Sequence, residues 1–140
     1  MNTRRIILDT NVLYAGLYSA EGASYQILRA IERGQIQIVL SPTLLFEYEE
    51  VLYRNQTELG LSGQHIEAIL DNLCALSDHQ QIYYLWRTFL PDPQDDHILE
   101  VAIASRTRII VTHNMKDFKG IEKMFGIRPM TPKDFLKEGV

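Results

Sequence analysis

The sequence predicts an α/β protein built on a parallel sheet with helices on both faces, and three observations carry that prediction. A short apolar run, Ile6 to Leu8, stops abruptly on Asp9, Thr10 and Asn11. A continuous apolar run of this kind suits a strand covered on both faces. A second such run, Ile109-Ile110-Val111-Thr112, stops in the same way on His113 and Asn114. Between them, apolar runs alternate with segments of helical spacing, which implies parallel strands joined by right-handed crossovers.

In chain order, apolar residues resume after Asn11 at Val12, Leu13 and Leu17. Ser24 to Arg33 reads as a helix with Tyr25, Ile27, Leu28 and Ile31 on its apolar side, ending at Gly34, a helix-stop residue. Gln35 to Leu40 reads as the second strand. Ser41-Pro42 is a helix start, a cap residue followed by proline at the first helical position. The helix runs to about Arg54 on a stripe of Leu44, Leu45, Tyr48, Val51 and Leu52, which has helical periodicity. Gly60 to Gly63 breaks the pattern, and Gln64 to Leu76 is the next helix. Gln80 to Trp86 gives a third, weaker strand, followed by a loop stiffened by Pro91 and Pro93. Asp95 to Ser105 is a helix built on Ile98, Leu99, Ala102 and Ile103. After the strand at 109–112 come a short helix or turn over Met115 to Phe125, a short strand over Ile127 to Met130, and a last helix opened by Thr131-Pro132.

No repeat, low-complexity run or linker divides the 140 residues, so the reading is one domain over 1–140. With 46% apolar and 23% charged residues the composition is that of a soluble globular protein. No segment approaches ~18 uninterrupted apolar residues, which argues against a membrane span. Cys74 has no partner for an internal disulfide and is expected as a small core residue of an apolar helix. A cytoplasmic location is the expectation. The net charge of −4 does not advertise nucleic-acid binding, but its distribution is uneven. Residues 1–104 hold 14 acids against 6 Lys/Arg, whereas residues 105–140 hold 8 Lys/Arg against 4 acids.

Several acids stand where strands or helices end. Asp9 follows the first strand, at the sheet edge where open α/β folds place ligands and chemistry; the plain alternative is that it caps the next helix. Glu47 and Glu49 flank the apolar stripe of their helix on opposite edges, Glu50 points away, and periodicity does not choose between the first two. Asp95 and Asp96 open a helix, where negative charge complements the dipole. Two adjacent acids after Asp92 exceed what that explanation requires. If the first and fourth strands are neighbours, Asp9, Asp95 or Asp96, and Asn114 converge. Carboxylates sharing one cleft raise one another's pKa and are tolerable when a hard divalent cation neutralises them.

Four segments in order, Ile-Leu-Asp-Thr-Asn-Val-Leu, Ser-Pro-Thr-Leu-Leu-Phe-Glu-Tyr-Glu-Glu-Val-Leu, Asp-Pro-Gln-Asp-Asp-His-Ile-Leu-Glu-Val-Ala and Val-Thr-His-Asn-Met-Lys-Asp-Phe, resemble the PIN domain. The chain is most similar to the group of toxin components of toxin–antitoxin pairs, the VapC-like ribonucleases, over residues 5 to 136. The resemblance implies a three-layer α/β/α fold and an endoribonuclease dependent on Mg²⁺ or Mn²⁺. Carried onto this sequence, it implies Asp9, Glu47 and Asp95 as catalytic metal ligands, with Asp96 sharing the metal role. It makes Asn11 an accompanying polar residue and Thr112 the hydroxyl of the fourth strand's end. The fourth acid of the pattern is replaced by Asn114, which weakens a second metal site unless Asp117 or Asp96 substitutes.

Phosphate binding is assigned to the basic C-terminal segment, Lys116 and Lys119 in particular. No histidine is required as general base, and His97 and His113 read as surface or structural residues. An RNA substrate, a small antitoxin protein and a homodimer are the implied partners. The competing expectations are a DNA-directed or 5′-nuclease activity on the same site, and a degenerate PIN fold that binds RNA or protein without cleaving.

Overall fold

The first strand, β1 (Arg4–Leu8), lies at the middle of the sheet. Ile6, Ile7 and Leu8 are wholly buried on both faces, which is why the run carries no alternation of polar residues. The structure, a computed structural model, describes residues 4–82 and 96–139. After β1 come α1 (Thr10–Tyr18), α2 (Ala23–Glu32), β2 (Ile36–Leu40), α3 (Pro42–Arg54), a single turn α4 (Gln56–Leu59), α5 (Gly63–Leu76) and β3 (Asp78–His79). The chain continues with α6 (Asp96–Ser105), β4 (Ile109–Val111), a 3-10 turn (Met115–Phe118), α7 (Ile121–Phe125), β5 (Arg128–Met130) and α8 (Pro132–Lys137). The strand order is β3-β2-β1-β4-β5, with every neighbouring pair parallel. The predicted parallel α/β architecture is the observed one.

Register fixes what shares an edge. Leu8 pairs with Val111, and Val111 with Met130, so the chain leaves β1 and β4 side by side at the carboxyl edge. The caps read from sequence hold their helices. Ser41 Oγ accepts from the Leu44 amide at 3.1 Å, and Thr131 Oγ1 accepts from the Asp134 amide at 3.1 Å. Each satisfies an amide that the helix's first turn otherwise leaves open. Helices α1 and α2 pack closely at Gly16, where a Cβ would sit 2.5 Å from Leu28 Cδ1 and 3.0 Å from the Ser24 carbonyl oxygen.

Three expectations change. The third described strand is Asp78–His79, and Gln80 to Ile82, the described part of the expected strand, follow it outside any strand. Its register against Val39 and Leu40 is stabilised by the Asp78 carboxylate, which accepts from Arg5 Nε at 3.1 Å and Gln37 Nε2 at 2.9 Å. A polar edge strand held by neighbouring side chains has no hydrophobic signature. Residues 83–86, like Asp92, Pro91, Pro93 and Asp95, lie outside the described residues. Helix α4 occupies residues just before the expected break and ends on Gly60 at φ 66°, a left-handed stop that glycine adopts without steric cost. Cys74, expected in the core, is half-buried.

Candidate active site

Three consecutive residues leave β1 and reach three different partners. Asp9 takes the N-cap position of α1, but its side chain makes no capping hydrogen bond. Its Oδ2 instead accepts from Thr112 Oγ1 at 2.7 Å, across the β1–β4 pair, and from Asn11 Nδ2 at 3.3 Å. Thr10 donates its hydroxyl to Glu47 Oε2. Asn11 also accepts, through Oδ1, the His113 amide at 3.2 Å. The helix-cap reading of Asp9 is therefore right about its backbone and wrong about its carboxylate.

Helix α3 supplies Glu47, and Tyr48 places it. The Tyr48 ring is fully buried and its hydroxyl donates to the Leu8 carbonyl at 2.6 Å, clamping α3 to the end of β1. Glu47 is thereby set beside Thr10, and its other oxygen, Oε1, lies 3.0 Å from His97 Nε2 on the first turn of α6. Glu49 lies near Tyr53 instead, and Glu50 is exposed and paired with Arg54. His97, expected as a surface or structural residue, is inside this cluster; no local pattern marks the contact because its partner lies 50 residues away. Thr10 and Tyr48 were missed as site residues for the same reason.

The electrostatics follow from burial. Asp9 is 4% exposed. Burial, opposed by the Thr112 hydrogen bond and reinforced by the Glu47 charge, pushes its carboxyl up to about 6. Burial works in the same direction on Glu47, but the hydrogen bonds from His97 and Thr10 outweigh it and hold that carboxyl below its ordinary value. Tyr48 is raised well above 10 by burial and by both nearby carboxylates. Two acids thus share one region with opposite tendencies, one resisting ionisation and one held ionised.

The head of α6 adds buried acid. Asp96 and Glu100 are both essentially inaccessible and stand one helical turn apart. Glu100 was not anticipated, although an acid among Ile98, Leu99, Val101 and Ala102 is the kind of exception that marks a buried polar group. Asp95 lies outside the described residues. Among the described residues, no three His, Cys, Asp or Glu side chains form a group placed to hold a metal ion.

The PIN domain family profile matches residues 5–116 of this sequence. The chain belongs to the PIN domain family. PIN domains are nucleases. Its fold is similar to that of a chain in the crystal structure of VapBC2 from Rickettsia felis bound to a DNA fragment from their promoter. The alignment covers 91% of this chain and 98% of that one, with a TM-score of 0.58 and 14% identity. At that identity the likeness establishes the fold alone. No curated protein matches the sequence.

In this PIN domain the fourth strand's end is ordered by Thr112. Its Oγ1 accepts the Asn114 amide at 2.9 Å while donating to Asp9. Asn114 is exposed, and its carbonyl receives the Asp117 amide at 3.0 Å as the 3-10 turn begins. Asp117 is half-buried on that turn, and Lys116 and Lys119 are exposed beside it. His113 is anchored by Ser24, Oγ to Nε2 3.0 Å, and burial pushes its imidazole down. Among the described residues no helix is long and apolar enough to cross a membrane.

Proposed function

We propose that this PIN domain is an endoribonuclease dependent on Mg²⁺ or Mn²⁺, the toxin of a toxin–antitoxin pair. The observation that carries the reading is the buried Asp9 carboxylate beside Glu47, raised to about 6 with no cationic side chain among the described residues bonded to it. A pocket of oxygen donors that resists its own charge fits a hard divalent cation. Thr112 and Asn11 both bond Oδ2 of Asp9, which leaves Oδ1 outside both interactions.

Asp9, Glu47 and Asp95 would hold the ion, with Asp96 at the same helix end. When bound, the ion activates water and stabilises charge developing on the phosphodiester. Thr112 and Asn11 fix the Asp9 rotamer. His97 and Thr10 keep Glu47 ionised and oriented. Asp117 and Asn114 support the turn that their backbone hydrogen bond closes, and Lys116 and Lys119 on that turn bind phosphates, largely without regard to sequence. No histidine moves a proton in this scheme; His97 acts through Glu47.

The toxin assignment rests on the motif resemblance and on the fold shared with a VapBC2 chain. It carries with it a small antitoxin partner, a homodimer, a cytoplasmic location and a single domain over 1–140. Cleavage of RNA and DNA oligonucleotides, each with Mn²⁺ and with chelator, tests the activity in parent and Asp9→Asn. Mn²⁺-dependent cleavage of RNA alone, lost in the variant, is the expected result. Binding without cleavage by the parent would return the chain to the class of degenerate PIN folds. An adjacent reading frame encoding a small DNA-binding protein is expected for the pair.

A further inference from the structure

The basic C-terminal segment does not stay together in the fold. Lys116 follows β4, at the carboxyl edge, whereas Arg106 and Arg108 precede it, at the amino edge. There, between the end of α6 and the start of β5, they line an open cleft of about 430 Å³ with Ala102, Ile103, Phe125 and Ile127. That volume is within the range of small-ligand sites, about 300–1,000 Å³. Among the described residues no acid lines it, and neither arginine has a carboxylate partner.

The backbone gives a second, independent observation. Arg106 stands at φ 58°, the one described non-glycine residue with positive φ. It closes α6: its amide bonds the Ile103 carbonyl at 3.2 Å, and the Thr107 amide bonds Ala102 at 2.9 Å. At this position glycine is free of the steric cost that a side chain incurs. Strain retained at one position is a reason to ask what the side chain does. Arg108 is fixed on the other side by the sheet, its carbonyl receiving the Arg128 amide at 2.7 Å.

We propose that this cleft binds a nucleoside phosphate, with the phosphate on the Arg106 and Arg108 guanidiniums and the base against Phe125 and Ile127. Planar guanidinium forks match phosphate oxygens in pairs, and an aromatic ring beside them offers a stacking surface that accepts any base. The site lies on the sheet edge opposite Asp9 and Glu47 and does not depend on their being catalytic. A free nucleotide and one unit of an RNA strand present the same chemistry.

The test uses the full chain in chelator, with backbone amide NMR shifts read during titration. Adenosine 5′-monophosphate should move residues 106–108 and 125–127, and adenosine or inorganic phosphate alone should bind at least tenfold more weakly. Arg108→Gln and Arg106→Gly should each weaken the mononucleotide tenfold or more, while Arg106→Gly melts no lower than the parent because glycine suits φ 58°. Equal mononucleotide affinity in parent and both variants overturns the proposal, and so does inorganic phosphate binding as tightly as the mononucleotide. A short RNA that loses affinity in the same variants identifies the ligand as a strand. RNA affinity unchanged while the mononucleotide is lost identifies it as a free nucleotide.

Discussion

The two edges of the sheet are built from the same strands and do opposite things with charge. At the carboxyl edge, acids are shielded and braced: the buried Asp9 by Thr112 and Asn11, the half-buried Glu47 by Thr10 and His97. At the amino edge, arginines are exposed or half-buried. Arg5 reaches Asp78 and the Ser105 carbonyl, each at 3.1 Å, and Arg106 and Arg108 border an open cleft. Burial is the difference that matters. A charge in a low-dielectric pocket changes protonation and demands a counter-charge, whereas an exposed one is screened and contributes little to the fold. The comparison therefore predicts large functional effects at the carboxyl edge and small stability effects at the amino edge.

Asp9→Asn gives the largest expected change: cleavage is abolished and the metal-free protein gains stability at neutral pH. A displacement from the ordinary 3.8 to about 6 corresponds to a penalty on the order of 3 kcal/mol for the ionised, folded form. The sign follows from proton binding. The folded state holds the Asp9 proton more tightly than the unfolded chain, so this stabilisation is complete below about 3.8 and is lost as pH rises through about 6. Glu47, held low, contributes in the opposite sense, present above its ordinary 4.5 and lost as pH falls through its lower folded value. His113, whose imidazole burial pushes below its ordinary 6.5, changes stability in the same window with the opposite sign, so the difference between parent and Asp9→Asn melts from about pH 5 to 7, without metal, is what isolates Asp9. A stability difference between parent and Asp9→Asn that is flat across that range, or a less stable Asp9→Asn, would contradict the buried-charge account.

Charge reversal at Lys116 and Lys119 comes next. If both contact phosphates of a single strand, the slope of log affinity against log salt should fall by about 1.4. Fluorescence titrations at several salt concentrations read this directly, and an unaltered slope would remove both lysines from the RNA path. Tyr48→Phe leaves the buried Leu8 carbonyl without its donor and should cost about 1–3 kcal/mol in denaturant unfolding. It should also lower cleavage by loosening Glu47, and restored activity without restored stability would separate the two roles. Arg5→Gln is the smallest expected effect. Its ion pair with Asp78 is partly exposed, 37% and 45%, so a loss of less than about 1 kcal/mol is expected. A larger loss would erase the contrast between the edges.

The sequence by itself determined the alternation of strands and helices, because continuous apolar runs and helical stripes are local consequences of burial on two faces or one. It also determined where strands stop to within a residue, since Asp9 and His113-Asn114 end their runs, and where helices start, since Ser41-Pro42 and Thr131-Pro132 satisfy orphan amides within three residues. Tertiary structure decided what those ends face. Periodicity leaves Glu47 and Glu49 on equal terms, because an apolar stripe fixes which side of a helix turns inward but not which neighbour borders each edge. That choice follows from the order β3-β2-β1-β4-β5 and the Tyr48 bond to Leu8, which together set Glu47 against Thr10 and His97. The same order parts Arg106 and Arg108 from Lys116, because a strand between them carries residues adjacent in sequence to opposite edges of the sheet.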